Sequence, residues 1–151
     1  MKRRRWMAML RALGLASVFA AGAAQAGGET MARAGAVLGA MKESVQAWRD
    51  AQYKRPPLGA QARVASAQKL ARALAAQRAD LARLAPQVEA GSRFATDLGR
   101  FLERWPDETA IRQNLMDESW GERLATDLTG LSLQAPDQSP GWKTPFPLFR
   151  P

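Results

Sequence analysis

Apolar positions recur at alternating spacings of three and four along most of the chain, the repeat that aligns side chains on one face of a helix. The longest such seam lies in Gln61 to Trp105, through Leu70, Leu74, Gln77, Leu81, Leu84, Val88, Gly91, Ala95, Leu98, Leu102 and Trp105. Ala, Leu, Arg and Gln fill much of the remainder, and all are strong helix formers. Pro86 lacks an amide hydrogen and clashes with the preceding turn, so a kink or short interruption is expected near Leu84 to Gln87. A second seam runs through Met31, Ala34, Leu38, Met41, Val45 and Trp48, which predicts a helix over Glu29 to Tyr53. Two matching seams imply mutual packing. Lys54-Arg55-Pro56-Pro57-Leu58-Gly59 ends the first helix and, being short, makes the two helices antiparallel. Gly35 and Gly39, four apart, allow a close crossing, expected here against the long arm.

Beyond the arm, Trp105-Pro106-Asp107-Glu108 marks a boundary, and its acids suit the positive start of a helix from Asp107 to Met116. Ser119-Trp120-Gly121-Glu122 fits a capping box opening a last helix from Trp120 to Thr129, with Leu124 and Leu128 inward. Gly130-Leu131 reads as its left-handed stop. The pattern therefore predicts an all-α fold: an antiparallel helical hairpin or small bundle of three to four helices with coiled-coil-like seams. Ser132 to Pro151 abandons helical spacing and forms an extended tail. Pro136, Pro140, Pro145, Pro147 and Pro151 favour polyproline conformations, while Trp142, Phe146, Leu148 and Phe149 make the tail too apolar for a purely solvating segment. Two fates follow, packing on its own bundle or docking in a partner's groove.

Met1 to Ala26 reads as a secretory signal peptide. Lys2, Arg3, Arg4 and Arg5 form the charged start, Ala12 to Ala24 the apolar stretch and Ala24-Gln25-Ala26 the cleavage site. An apolar run this short falls below the roughly 20 residues that span a bilayer, so cleavage after Ala26 and no stable membrane span are expected. The arginine pairs leave Sec and Tat export both open. The expected organisation is residues 1–26 as leader, 27–131 as helical domain and 132–151 as tail, in a periplasmic protein.

Charge changes meaning once the leader is set aside. The chain carries 22 Lys and Arg against 14 Asp and Glu, and the leader holds five of the basic residues and none of the acids. The remainder has 17 basic and 14 acidic residues, a net charge of +3. A nucleic-acid partner loses most of its support with that change. The charge left is unevenly placed: Lys54 to Arg104 sums to +6 and Asp107 to Asp137 to −5. Such regional opposition favours folding the C-terminal helices back along the arm, or pairing two copies head to tail. Glu89, Arg93, Asp97, Arg100 and Arg104 form a ladder that reads as a solvated face.

With neither Cys nor His in the chain, disulfides, thiolate chemistry, Ser-His-Asp triads and His-based metal or haem sites are excluded. Metal ligands and cofactor-binding residues are therefore expected to be none. Ser66-Ala67-Gln68-Lys69 matches the Ser-x-x-Lys pattern of penicillin-binding proteins and serine β-lactamases, without the companion motifs. Asp117, Glu118 and Glu122, beside Trp120, are the carboxylates that a cell-wall glycan hydrolase would need. The composition resembles in outline the periplasmic chaperones of the Spy type, whose Leu-Thr-x-x-Gln motif is approached only by Leu128-Thr129-Gly130-Leu131-Ser132.

The function expected from the sequence is non-enzymatic: an exported interaction protein, an accessory or assembly component of a bacterial envelope complex of the secretion or conjugation type. Trp142, Phe146, Leu148 and Phe149 of the tail are the expected partner-binding residues, with Lys69, Arg72 and Arg83 on the outer face of the arm as a weaker second set. The alternative is a holdase-type chaperone or inhibitor that takes other exported proteins on the basic arm, with apolar contacts from Met31, Met41 or the tail. A carboxylate-dependent hydrolase is the remote third reading. Protein partners in the envelope, and a possible homo-oligomer, complete the expectations.

Overall fold

A computed structural model describes residues 6–53, 58–117 and 120–135, with side chains from Ala26 onward. Five α-helices and no strand occur among the described residues, an all-α bundle. The first helix, α1, is Trp6–Gln52. It runs unbroken through the expected cleavage site and extends well upstream of Glu29. Its buried face is the one the seam predicted: Ala34, Leu38, Met41, Val45 and Trp48 are all in the core. Gly35 and Gly39 are buried as well. Further along α1, Lys42, Gln46 and Arg49 share a groove with Glu122, Ala125 and Thr126 of α5.

The arm is two helices. α2 (Ala60–Leu84) ends where Pro86 forbids continuation, and a 3₁₀ turn, Ala85–Gln87, follows. Gly91, at φ +81°, supplies a left-handed residue that few side chains tolerate. Ser92 then caps α3 (Arg93–Arg104), its hydroxyl accepting from the Ala95 amide at 3.1 Å. The interruption is thus longer than the expected kink, and it resets the helical phase. Phe94, Leu98, Phe101 and Trp105 are the buried positions of this segment, whereas Ala95 and Leu102 of the expected seam are only half-buried.

Asp107 caps α4 (Glu108–Met116) by accepting from the Ala110 amide at 2.9 Å. α5 (Glu122–Gln134) starts two residues later than expected, with Gly121 rather than Ser119 at its cap position. It passes straight through Gly130, so Ser132 to Gln134 are helical and the expected left-handed stop does not occur. Ser119 itself lies outside the described residues.

In the assembled bundle α2 packs on α1 and α4, and α5 packs on α1, α3 and α4. The core is a single cluster in which Leu74 and Leu81 of α2 meet Leu38 and Met41 of α1, Ile111 and Leu115 of α4, and Leu124 and Leu128 of α5. Charged side chains tie the C-terminal helices to the arm, as the regional charges predicted. Arg104 reaches Asp127 with both carboxylate oxygens at 2.9 and 3.0 Å. Gln134 Nε2 donates to Asp97 at 2.9 Å, which makes α3 and α5 antiparallel. The ladder on α3 is therefore partly structural.

Asp127 also accepts from Trp105 Nε1 at 3.0 Å, and that indole is 5% exposed. Asp127→Ala strands a buried N–H and should lower unfolding free energy by about 1–3 kcal/mol. Asp127→Asn keeps an acceptor and loses mainly the exposed ion pair, a change of under about 1 kcal/mol. Urea denaturation of the two variants checks the ordering; equal losses would show that the indole bond does not matter.

Candidate functional site

At the end of the bundle where α1 gives way to α2, aromatic side chains gather around Trp120. Its ring lies 6.3 Å from that of Tyr53 at an interplanar angle of 22°, and 6.4 Å from that of Trp48 at 43°. The guanidinium of Arg63 sits over the same ring, Cζ 4.5 Å from the centroid, an attractive cation–π placement. Trp48 anchors the group from the core by donating from Nε1 to Ser66 Oγ at 3.1 Å.

The turn between α4 and α5 presents Trp120. The residue has φ +50° and Gly121 follows at +76°, so two successive left-handed residues swing the chain into α5. For a bulky side chain this backbone costs about 1–2 kcal/mol. Asn114, which is buried, holds the turn: its backbone carbonyl accepts from the Gly121 amide at 3.1 Å and its Oδ1 from the Leu124 amide at 3.3 Å.

Tyr53 is 71% exposed although its ring stacks on Trp120. Val64 and Leu58, near the start of α2, are 48% and 42% exposed, and with Tyr53 and Leu133 of α5 they are the exposed large apolar side chains among the described residues. An exposed tyrosine stacked on a tryptophan with an arginine over the same ring has the composition of an interface centre, aromatic and arginine together.

The sequence-derived candidates fare differently. Ser66 Oγ accepts from Trp48 and donates to the Arg63 carbonyl at 2.9 Å, a structural use of the hydroxyl, while Lys69 points to solvent as an exposed residue. Asp117 and Glu122 are not brought together. Asp117 lines a groove with Arg104, Asn114 and Arg123, whereas Glu122 opens beside Lys42 and Arg49. Glu118 lies outside the described residues. Arg72 approaches Glu108 at 3.9 Å and Arg83 pairs with Asp80 on its own helix. Lys69, Arg72 and Arg83 do share the exposed face of α2. Met41 is fully buried, whereas Met31 is partly buried against the core and lines a groove with Val88 and Phe94. Trp142, Phe146, Leu148 and Phe149 lie outside the described residues.

Among the described residues no group of three or more acidic side chains is placed to hold a metal ion. Nor is any helix long and apolar enough to cross a membrane. No family model, curated protein or solved structure matches the chain.

The aromatic end was missed in the sequence because its members come from three separated segments. Tyr53 follows α1, Arg63 sits in the first turn of α2, and Trp120 follows α4. One signal was available: Tyr53 is a large aromatic residue at the end of the predicted helix, next to a connection, where burial is hard to arrange.

Proposed function

We propose that this protein is an exported, non-enzymatic interaction protein that serves as an accessory or assembly component of a bacterial envelope complex, docking through its aromatic end. The observation that carries the reading is the exposed Tyr53 ring stacked on Trp120, with the Arg63 guanidinium over the same indole. A left-handed tryptophan is a standing cost to stability, and it is offset here by stacking that also fixes the patch in shape. Preorganised aromatic surface loses little entropy on binding.

Export rests on the sequence: the basic start, the apolar stretch and the Ala24-Gln25-Ala26 site of residues 1–26.

Crosslinking in intact cells, followed by recovery from the envelope fraction, tests the reading. The wild-type chain should bring down one dominant protein, and Tyr53→Ser combined with Leu58→Ser should reduce that yield at least about ten-fold, as expected for loss of interface anchors. Tyr53 also stacks on Trp120, so helicity should be kept while thermal stability falls slightly, by about 0.5–1.5 kcal/mol. Leu58→Ser alone, at an exposed position, checks that the lost yield is not a folding effect. A broad set of proteins recovered equally with both forms would overturn the proposal in favour of a holdase.

A further inference from the structure

Between α1 and α5 lies a groove of about 300 Å³. Lys42, Gln46 and Arg49 of α1 line one wall, and Glu122, Thr126 and Thr129 of α5 the other. That volume is at the lower limit of ligand cavities, so it suits one charged head group rather than a whole small molecule.

Two cations line this groove without a carboxylate of their own. Neither Lys42 nor Arg49 forms an ion pair among the described residues, whereas Arg33, Arg72, Arg83, Arg93, Arg100 and Arg104 each reach an acid. Asp50, next to Arg49 in the sequence, is held by Gln46, whose Nε2 donates to it at 2.7 Å. Arg49 is half-buried, and its Nε is fully buried with no acceptor among the described residues. Buried polar groups are almost always hydrogen-bonded, so this nitrogen marks a place where an acceptor belongs. Glu122 is the one acid lining the groove, which leaves a single positive charge in excess. One carboxylate neutralises that excess, and its two oxygens match the planar fork of a guanidinium.

The groove also runs into the aromatic end. Lys42, Gln46, Arg49 and Tyr53 follow one another at spacings of four, three and four, one stripe along α1 and its last turn. On the other wall Glu122 is two residues from Trp120. At 1.5 Å per residue, Arg49 stands about 6 Å along the helix from Tyr53, and Lys42 roughly 17 Å.

We infer that this groove takes a carboxylate side chain of the docked protein partner, held by Arg49 and Lys42. In an extended segment that carboxylate lies about two to five residues from the residue seated on the Tyr53–Trp120 stack. Given docking at the aromatic end, on which this role of the groove rests, the partner carries an apolar or aromatic anchor with Asp or Glu close by in sequence. Glu122 competes for the same cations and so limits the affinity.

Two synthetic peptides, acetyl-Phe-Ser-Ser-Glu-amide and its Gln counterpart, test this by NMR titration of the full chain. The Glu peptide should bind about five-fold more tightly at low ionic strength, the gain that one partly exposed ion pair allows. It should shift the Arg49 Nε–H and Trp120 Nε1–H resonances together. Lys42→Gln and Arg49→Gln should each remove most of the preference, while Glu122→Gln should tighten Glu-peptide binding about two-fold. Equal binding of the two peptides, with the Trp120 resonance still moving, would overturn the carboxylate site and leave docking at the aromatic end standing. A Glu preference that depends on Arg49 while Trp120 stays unmoved would do the reverse. No binding of either peptide at millimolar concentration would overturn both. Phosphatidylglycerol vesicles that capture the wild-type chain but not Arg49→Gln, with no peptide preference, would overturn the carboxylate site in favour of a lipid headgroup. Circular dichroism checks that the variants fold, and should Arg49→Gln unfold the domain, Lys42→Gln carries the same readout.

Discussion

Arg78→Ala should destabilise the domain by about 2–4 kcal/mol, the loss expected when two charge-assisted hydrogen bonds are removed from a half-buried site. Arg78 projects from α2 to the end of α3. Its Nε donates to the Trp105 carbonyl at 2.8 Å and its second guanidinium nitrogen to the Leu102 carbonyl at 3.0 Å. The last carbonyls of a helix have no partner within it and carry its negative end, so a planar cation with several donors suits them. Here it also pins α3 against α2. Lysine would retain the charge and lose the fork, so Arg78→Lys should cost roughly half as much. Urea unfolding of the three proteins measures this directly. A loss below about 0.5 kcal/mol for the alanine variant would mean that α3 is held by its apolar face alone.

Gly121→Val should cost about 3 kcal/mol and lower the melting temperature by roughly 10 °C. Two effects add. At φ +76° a residue with a side chain is strained. A Cβ at this position would also stand 3.0 Å from Leu115 Cδ2, with Val45 at 3.9 Å behind it, in a core that has little room to yield. Gly91 separates the two effects. Its φ is +81°, yet nothing lies within 4 Å of a Cβ placed there. Gly91→Ala therefore reports the backbone cost alone, and the excess of Gly121→Ala over it reports the collision with Leu115. Calorimetry gives both numbers; equal losses would remove the packing term. Because Trp120 precedes Gly121, the valine variant should also disturb the stack on Tyr53, which near-ultraviolet circular dichroism would register.

Helical periodicity made much of this fold legible. The α1 seam was read correctly from Ala34 to Trp48, with Met31 only partly buried, since nothing in that stretch interrupts the repeat and the core receives one uninterrupted stripe. Across Pro86 the same rule held only in part. Val88, Leu98 and Trp105 are buried as the seam predicted, but the spacing is meaningful only while the backbone remains helical. After the 3₁₀ turn and the left-handed Gly91, Phe94 and Phe101 take inward positions that the seam had given to Ala95 and Leu102. Gln77, counted in the seam between Leu74 and Leu81, carries a buried Oε1 without a hydrogen-bond partner among the described residues. A polar residue at a seam position was a warning of imperfect periodicity. The start of α5 was misplaced for a related reason: a capping-box pattern was present, whereas the backbone reversal at Trp120 and Gly121 leaves no mark in a 3-4 repeat.

The candidate site was hardly legible at all. Linear patterns find chemistry that sits within one element, and they led to Ser66-Ala67-Gln68-Lys69 and to the acids around Trp120. The group formed by Tyr53, Arg63 and Trp120 exists only after the packing of α2 on α1 and the turn before α5 have brought three segments together. Ser66 illustrates the difference. Read along the chain it matched a nucleophile motif without its companions; in the fold it is a fixing point for the Trp48 indole.

The first helix packs against the last one, and this has a consequence for the order in which the protein can take shape. A chain threaded through a membrane from its N-terminus delivers Leu38, Met41 and Val45 long before Leu124 and Leu128, which help to cover them. The bundle cannot close until α5 has emerged. If the protein is exported as proposed, its most apolar stripe travels uncovered for most of the passage, and transit time, more than final stability, sets its exposure to proteolysis and misassociation.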